Sequence, residues 1–348
     1  MNIFITYLAC QSRVFHFCNG NLVDLPIEIE IEYSCNIILQ MKKARVWSSS
    51  LPGEALLLLT AIVWGTGFVA QRKAMEVMQP FAFIALRFFL GCLVLLPALI
   101  LRKAGKRTNT SFDWKRFLRG LVFPSVITGL FLFAGTSVQQ LGIMTTSASK
   151  AGFLTSLYLV LVPVFGLFLG KKANLWVWIG VALAVIGVWF LSVNLEMTIQ
   201  RGDVLLIIGA FFWALQILAL DYFTSKLDAL ELAFGQFLTA AVLGLVVNLT
   251  TESGLFAFDP SALLPLLYSG VVAVGIGFTL QVFGQSKVDP ALASLILSLE
   301  AVFALLGGMI FLGERLSGRE WLGCAVMMAA VILVQLKGQQ HKSEVESQ

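Results

Sequence analysis

Charge is scarce along this 348-residue chain: Asp, Glu, Lys and Arg supply 13% of it, about half the share of an ordinary soluble domain. Histidine is almost missing. The two present, His16 and His341, lie outside the long apolar runs, which argues against a histidine-based membrane metalloenzyme. Five cysteines (Cys10, Cys18, Cys35, Cys92, Cys324) show neither a CxxC pair nor metal-ligand spacing, and Cys92 and Cys324 fall inside apolar runs as small packing residues. No glycine-rich phosphate loop ending in Gly-Lys-Ser/Thr occurs, which removes an ATP-driven pump. The net charge of +4 resides in short connections and is no nucleic-acid footprint. No cofactor, metal or nucleic acid is expected. The expected partners are a small-molecule substrate and the lipid bilayer, with a homodimer compatible.

Apolar sequence is what the chain has in abundance. Hydrophobic residues make up 58% of it, and the mean hydropathy is +0.87. A soluble domain could not hide that much apolar surface, so the bilayer is the expected solvent. Spanning it takes roughly 20 helical residues, and ten segments qualify: 54–73, 80–101, 118–138, 147–169, 174–193, 202–221, 230–250, 261–283, 290–312 and 318–336. Pro80, Asp113, Asn174, Pro260, Pro290 and Ser317 stand at or near their starts.

The chain also repeats itself. Gly53–Leu90 lies over Gly202–Thr239 without a gap, so that Glu54 meets Asp203, Trp64 meets Trp213, and Phe88 meets Phe237. Gln139 and Gly142 match Gln281 and Gly284; with a further gap, Val164-Phe165 match Val302-Phe303, and Trp178 and Gly180 match Trp321 and Gly323. Counting Lys and Arg by alternate loops places sixteen on one side and five on the other, which puts both termini in the cytoplasm. Five helices per repeat is an odd number, so the second repeat inserts upside down. The expected fold is an all-α integral membrane protein of ten transmembrane helices arranged as two inverted five-helix repeats, 53–193 and 202–336. Residues 1–45 are expected to be an N-terminal extension, disordered or a mis-called start, because Met41-Lys42-Lys43-Ala44-Arg45 reads as a natural beginning. Residues 337–348 form a polar cytoplasmic tail, expected to be disordered.

The run Thr146–Pro163 resembles the fourth helix of EamA-type carriers of the drug/metabolite transporter superfamily. Leu299-Glu300-Ala301-Val302-Phe303, followed by Phe311-Leu312-Gly313-Glu314-Arg315-Leu316, resembles that family's penultimate helix and exit loop, and Trp64-Gly65 and Arg87-Phe88 also fit. The family's usual proline after the glutamate is Ala301 here. Lys171-Lys172 stand where the second repeat has Glu314-Arg315. The resemblance implies a ten-helix permease of the inner membrane, not an enzyme. Its central cavity would be lined by both repeats and move a small polar metabolite by alternating access. An amino acid or related compound is the leading substrate on family analogy, with export favoured. A proton-coupled exporter of drugs or organic cations is the alternative, and a membrane enzyme or sensor a distant one.

Charges inside spans cost about 2.5–3.5 kcal/mol each on insertion scales, so each needs a reason. Glu300 reads as a proton-coupling carboxylate, a counter-charge for a cationic group, or a helix-linking acceptor. Lys150 reads as an anion contact or a side chain snorkelling to the interface. Together they suit a substrate with two different ends, and equally a plain ion pair between repeats. Arg87, matched by Gln236, reads first as an inter-helix contact and second as a substrate ligand. Trp64 and Trp213 sit too deep for the interfacial belt and read as cavity walls or close packing. Thr66, Gln139, Thr155, Ser156, Tyr158, Gln216, Gln281 and Ser298 supply uncharged polarity, as helix-packing glue or as cavity lining. Candidate substrate contacts are thus Lys150, Glu300, Trp64, Trp213, Tyr158, Thr155, Gln216, Gln281 and Arg87.

Overall fold

The computed structural model describes residues 52–104, 118–146, 148–171, 173–192, 201–252, 259–312 and 317–346. The expectations for the N-terminal extension and for Gly313–Leu316 lie outside them, as does the side chain of Lys150. Among the described residues, eight helices are long and apolar enough to cross a bilayer. They are span 1 (Gly53–Ala74), span 2 (Pro80–Leu101), span 3 (Gly120–Ile143), span 4 (Ala151–Phe168), span 6 (Arg201–Thr224), span 7 (Ala229–Thr251), span 8 (Pro260–Gln285) and span 9 (Pro290–Phe311). Two shorter apolar helices, Leu175–Gly187 and Trp321–Val334, supply spans 5 and 10. The chain is therefore an all-α, ten-span membrane protein. Its outward side chains, Leu101, Phe168, Leu249 and Leu264 among them, form an exposed apolar surface suited to lipid.

The helix starts follow from local chemistry. Asp228 caps span 7 by accepting from the N–H groups of Leu230 and Glu231, and Asp289 caps span 9 through Ala291 N at 3.0 Å. Span 2 borrows its cap: Glu252, just past span 7, accepts from Phe81 N and Ala82 N at 2.9 and 3.0 Å. Three details differ from expectation. Span 3 runs to Ile143 rather than 138, because the polar pair Gln139-Gln140 is buried and continues the helix. Span 8 contains a stretch of wide π-type turns, Tyr268–Phe278. The last helix continues to Glu346, past the expected end at 336.

Spans 4 and 9 are each interrupted. Span 4 divides into Ala148–Thr155 and Tyr158–Phe168, and span 9 into Pro290–Leu297 and Glu300–Leu312. At both breaks a serine turns back on its own helix. Ser156 Oγ donates to Phe153 O, and Ser298 Oγ donates to Leu295 O, each at 2.7 Å. Backbone bonds tighten there to three-residue spacing, as in Leu159 N to Ser156 O and Ala301 N to Ser298 O. Ala301 in place of proline therefore does not prevent the break. The two breaks also correct the repeat register. Tyr158 corresponds to Glu300, which displaces the match of Val164-Phe165 with Val302-Phe303.

The packing obeys a pseudo-two-fold. Span 1 packs on spans 8 and 9, and span 6 on spans 3 and 4; span 2 packs on 7 and 8, and span 7 on 2 and 3; spans 5 and 10 pack on each other. Exchanging spans 1–5 with 6–10 returns the same set. Glycines mark the symmetric contacts. A Cβ on Gly142 would meet Leu206 at 2.7 Å and Gly202 O at 2.9 Å; on Gly284 it would meet Leu57 at 2.8 Å and Gly53 O at 3.1 Å. Gly135 lies against Trp213, and its mate Gly277 against Trp64. Consecutive antiparallel spans and an odd number per half make these repeats inverted.

Candidate functional site

Where the first three spans meet the two broken ones, polar side chains face inward. Gln71 from span 1, Arg87 from span 2 and Gln139 from span 3 are all buried and joined. Gln71 Oε1 accepts from Arg87 Nη1 at 3.0 Å and from Gln139 Nε2 at 3.2 Å. Gln139 Oε1 in turn accepts from Trp213 Nε1 of span 6 at 2.9 Å. The chain of bonds thus runs from a guanidinium in the first repeat to an indole in the second.

These groups line one small cavity of about 30 Å³, together with Thr136, Thr155, Tyr158 and Glu300. That volume holds on the order of two waters, so a metabolite enters only if the helices part. The breaks in spans 4 and 9 set the opposite wall, because Thr155 and Tyr158 flank one and Glu300 begins the helix after the other. The Tyr158 hydroxyl lies beside the Glu300 carboxyl, yet neither it nor Glu300 Oε1 completes a hydrogen bond of good geometry. Arg87 Nε is likewise buried without a partner; its guanidinium sits 5.3 and 5.1 Å from the rings of Phe83 and Phe88. Arg87 and Glu300 line the same cavity without pairing with each other. Buried polar groups left without partners inside a membrane protein are costly, and a ligand with two poles would satisfy both.

Aromatic rings complete the lining. Phe278 packs against Trp64 at 4.4 Å and stacks on Trp213 at 5.8 Å, 22° from parallel. Trp64 Nε1 donates to Ala273 O at 3.2 Å, using a carbonyl of the wide-turn stretch. Matched tryptophans from the two repeats therefore share one wall. Outside this site, Lys171 pairs with Asp221 at 2.5 Å beside a hollow of about 10 Å³ that Asp289 also lines.

Of the nine residues singled out from sequence, the cavity brings together Trp64, Arg87, Thr155, Tyr158, Trp213 and Glu300. Gln216 and Gln281 lie elsewhere. They bond to one another and to Gln236. Lys150 is on a described helix turn, but its side chain lies outside the described residues. Sequence reasoning missed Gln71, Thr136 and Phe278. Gln71 adjoins Arg72-Lys73 at the end of the first expected span, where a polar residue carries no signal of its own. Phe278 carried no signal at all among so many phenylalanines.

The sequence model of the EamA-like transporter family matches residues 51–193 and again residues 200–336. An uncharacterized transporter of Archaeoglobus fulgidus is 32% identical over 286 residues, covering 81% of this chain and 85% of the relative. The uncharacterized inner membrane transporter YedA of Escherichia coli (strain K12) is 27% identical over 301 residues, covering 82% and 91%. A solved crystal structure superposes with a TM-score of 0.66 at 19% identity, covering 82% of this chain and 98% of its own, a likeness of fold.

Proposed function

Because the chain belongs to the EamA-like transporter family, we propose that it is a secondary carrier that moves a small zwitterionic metabolite, an amino acid or a close relative, by alternating access. The observation that carries this reading is the placement of Arg87 and Glu300 on the same cavity, unpaired with each other. A carboxylate directed at Arg87 and an ammonium at Glu300 would neutralise both. The rings of Trp64, Trp213 and Phe278 would face the remainder of the molecule. Inverted repeats that share a central site supply the two access states. The excess of Lys and Arg on alternate loops supports an inner-membrane topology with cytoplasmic termini, and export is the favoured direction on family analogy.

A second reading has its own support. A carboxyl at Glu300 within an aromatic wall also suits a proton-coupled exporter of organic cations, although Arg87 in the same cavity would repel them. The test is substrate-driven charge movement and radiolabel counterflow in proteoliposomes, screened across amino acids, organic cations and sugar phosphates. A response to amino acids that Glu300→Gln weakens is expected. A response to organic cations alone would favour the second reading, and silence in both assays would sink the carrier reading.

A further inference from the structure

The second repeat holds a polar cluster that the cavity does not use. Gln216, Gln236 and Gln281 stand on spans 6, 7 and 8, the counterparts of the spans carrying Gln71, Arg87 and Gln139. Two correspondences are residue for residue: Gln236 matches Arg87, and Gln281 matches Gln139. Gln216 stands one helical turn before the counterpart of Gln71. All three glutamines are wholly buried. Two of their mutual bonds are long, Gln216 Nε2 to Gln236 Oε1 at 3.3 Å and Gln216 Nε2 to Gln281 Oε1 at 3.4 Å, and one, Gln281 Nε2 to Gln216 Oε1, is ordinary at 3.1 Å. The Gln236 Nε2 group has no partner. Three amides meant only to fasten helices would be expected to satisfy one another, and these leave a buried donor unused.

We propose that this cluster is the second face of the carrier's binding site, a neutral amide subsite for the substrate's carboxylate. The inference rests on the carrier reading above. Each half of the molecule presents two matched positions, and a third glutamine on the matching span, to its own side of the pseudo-two-fold. In the present conformation the first set lines the cavity and the second is shut. When the repeats exchange conformations, Gln71, Arg87 and Gln139 close together and Gln216, Gln236 and Gln281 line the opening. The two faces are then chemically unequal. A guanidinium holds a carboxylate by a charge-assisted bond, whereas Gln236 offers a neutral amide, so the second face binds about tenfold more weakly. Tight capture on one side and easy release on the other follow from that one exchange of Arg for Gln.

The experiment is side-specific thiol modification of the full chain in right-side-out and inside-out membrane vesicles. Gln139→Cys and Gln281→Cys are each exposed to the impermeant anion 2-sulfonatoethyl methanethiosulfonate, and modification is read by mass spectrometry of the peptide bearing the new cysteine. The parent chain, whose Cys92 and Cys324 are buried, sets the background. Gln139→Cys is expected to react from one face and Gln281→Cys from the opposite face. Gln71→Cys and Gln216→Cys provide a second pair should either first variant fail to accumulate. Reaction of both positions from the same face would overturn the inference, as would an inert Gln281→Cys beside a reactive Gln139→Cys, with the carrier reading left standing. No reaction at any of the four positions from either face would overturn both.

Discussion

Arg87→Met separates a ligand-binding arginine from a scaffold arginine. The change removes the charge and keeps an unbranched stem of similar reach. For stability, a lone charge inside a span costs about 3 kcal/mol on insertion scales, and the substitution recovers that. Against it stand the bond from Nη1 to Gln71, worth about 1.5 kcal/mol at the low end for a charged donor, and the ring contacts with Phe83 and Phe88, roughly 0.5–1 kcal/mol apiece. Gln71 Oε1 retains Gln139 as a donor, so no acceptor is orphaned. The balance lies within about 1 kcal/mol of zero, and the thermal midpoint of the purified protein in detergent, followed by tryptophan fluorescence, should stay level or rise slightly. For transport, a charge-assisted bond worth about 1.5–3 kcal/mol is lost, which raises the half-saturation concentration in counterflow about 10- to 150-fold. A midpoint lowered by many degrees with unchanged half-saturation would return Arg87 to the scaffold.

Other substitutions test the fold and its symmetry. Gly142→Ala and Gly284→Ala should each destabilise by about 1–3 kcal/mol through the clashes with Leu206 and Leu57, and similar losses are expected because the two contacts are mates; thermal unfolding of both variants checks it. Trp213→Phe leaves Gln139 Oε1 buried without its donor and should cost about 1–3 kcal/mol, measured the same way. Asp289, in the connection before span 9, has its carboxyl pushed above the ordinary value, chiefly by burial and against the pull of Ala291 N–H and Lys171. A raised acid contributes stability that is full below its unfolded value and fades as pH rises through the folded one. Asp289→Asn, which keeps a capping oxygen, should therefore flatten the acid-range pH dependence of the midpoint.

Much of the architecture is legible in the sequence because a bilayer leaves few choices: an apolar run of the right length becomes a helix. The repeat was visible for the same reason that it matters. Gly53, Gly142, Gly202 and Gly284 recur in register because each serves one of two equivalent close contacts. The breaks in spans 4 and 9 were not legible, since Ser156 and Ser298 make them by bonding to their own helices without a proline. That obscured the correspondence of Tyr158 with Glu300, the two groups that face each other in the cavity. Gln216 and Gln281 looked like cavity residues on polarity alone. Polarity reveals an inward direction, but the conformation decides which inward group meets the cavity.

In the proposed carrier both poles of the substrate are held at once, by Arg87 and by Glu300. The direct test takes whichever amino acid drives the largest counterflow in proteoliposomes and compares it with its methyl ester, which lacks the carboxylate, and its N-acetyl derivative, which lacks the ammonium. The expected result is exchange of the parent and a loss of about tenfold or more in apparent affinity for each derivative. Exchange of either derivative as readily as the parent would contradict the account, because one of the two buried groups would then have no pole to bind.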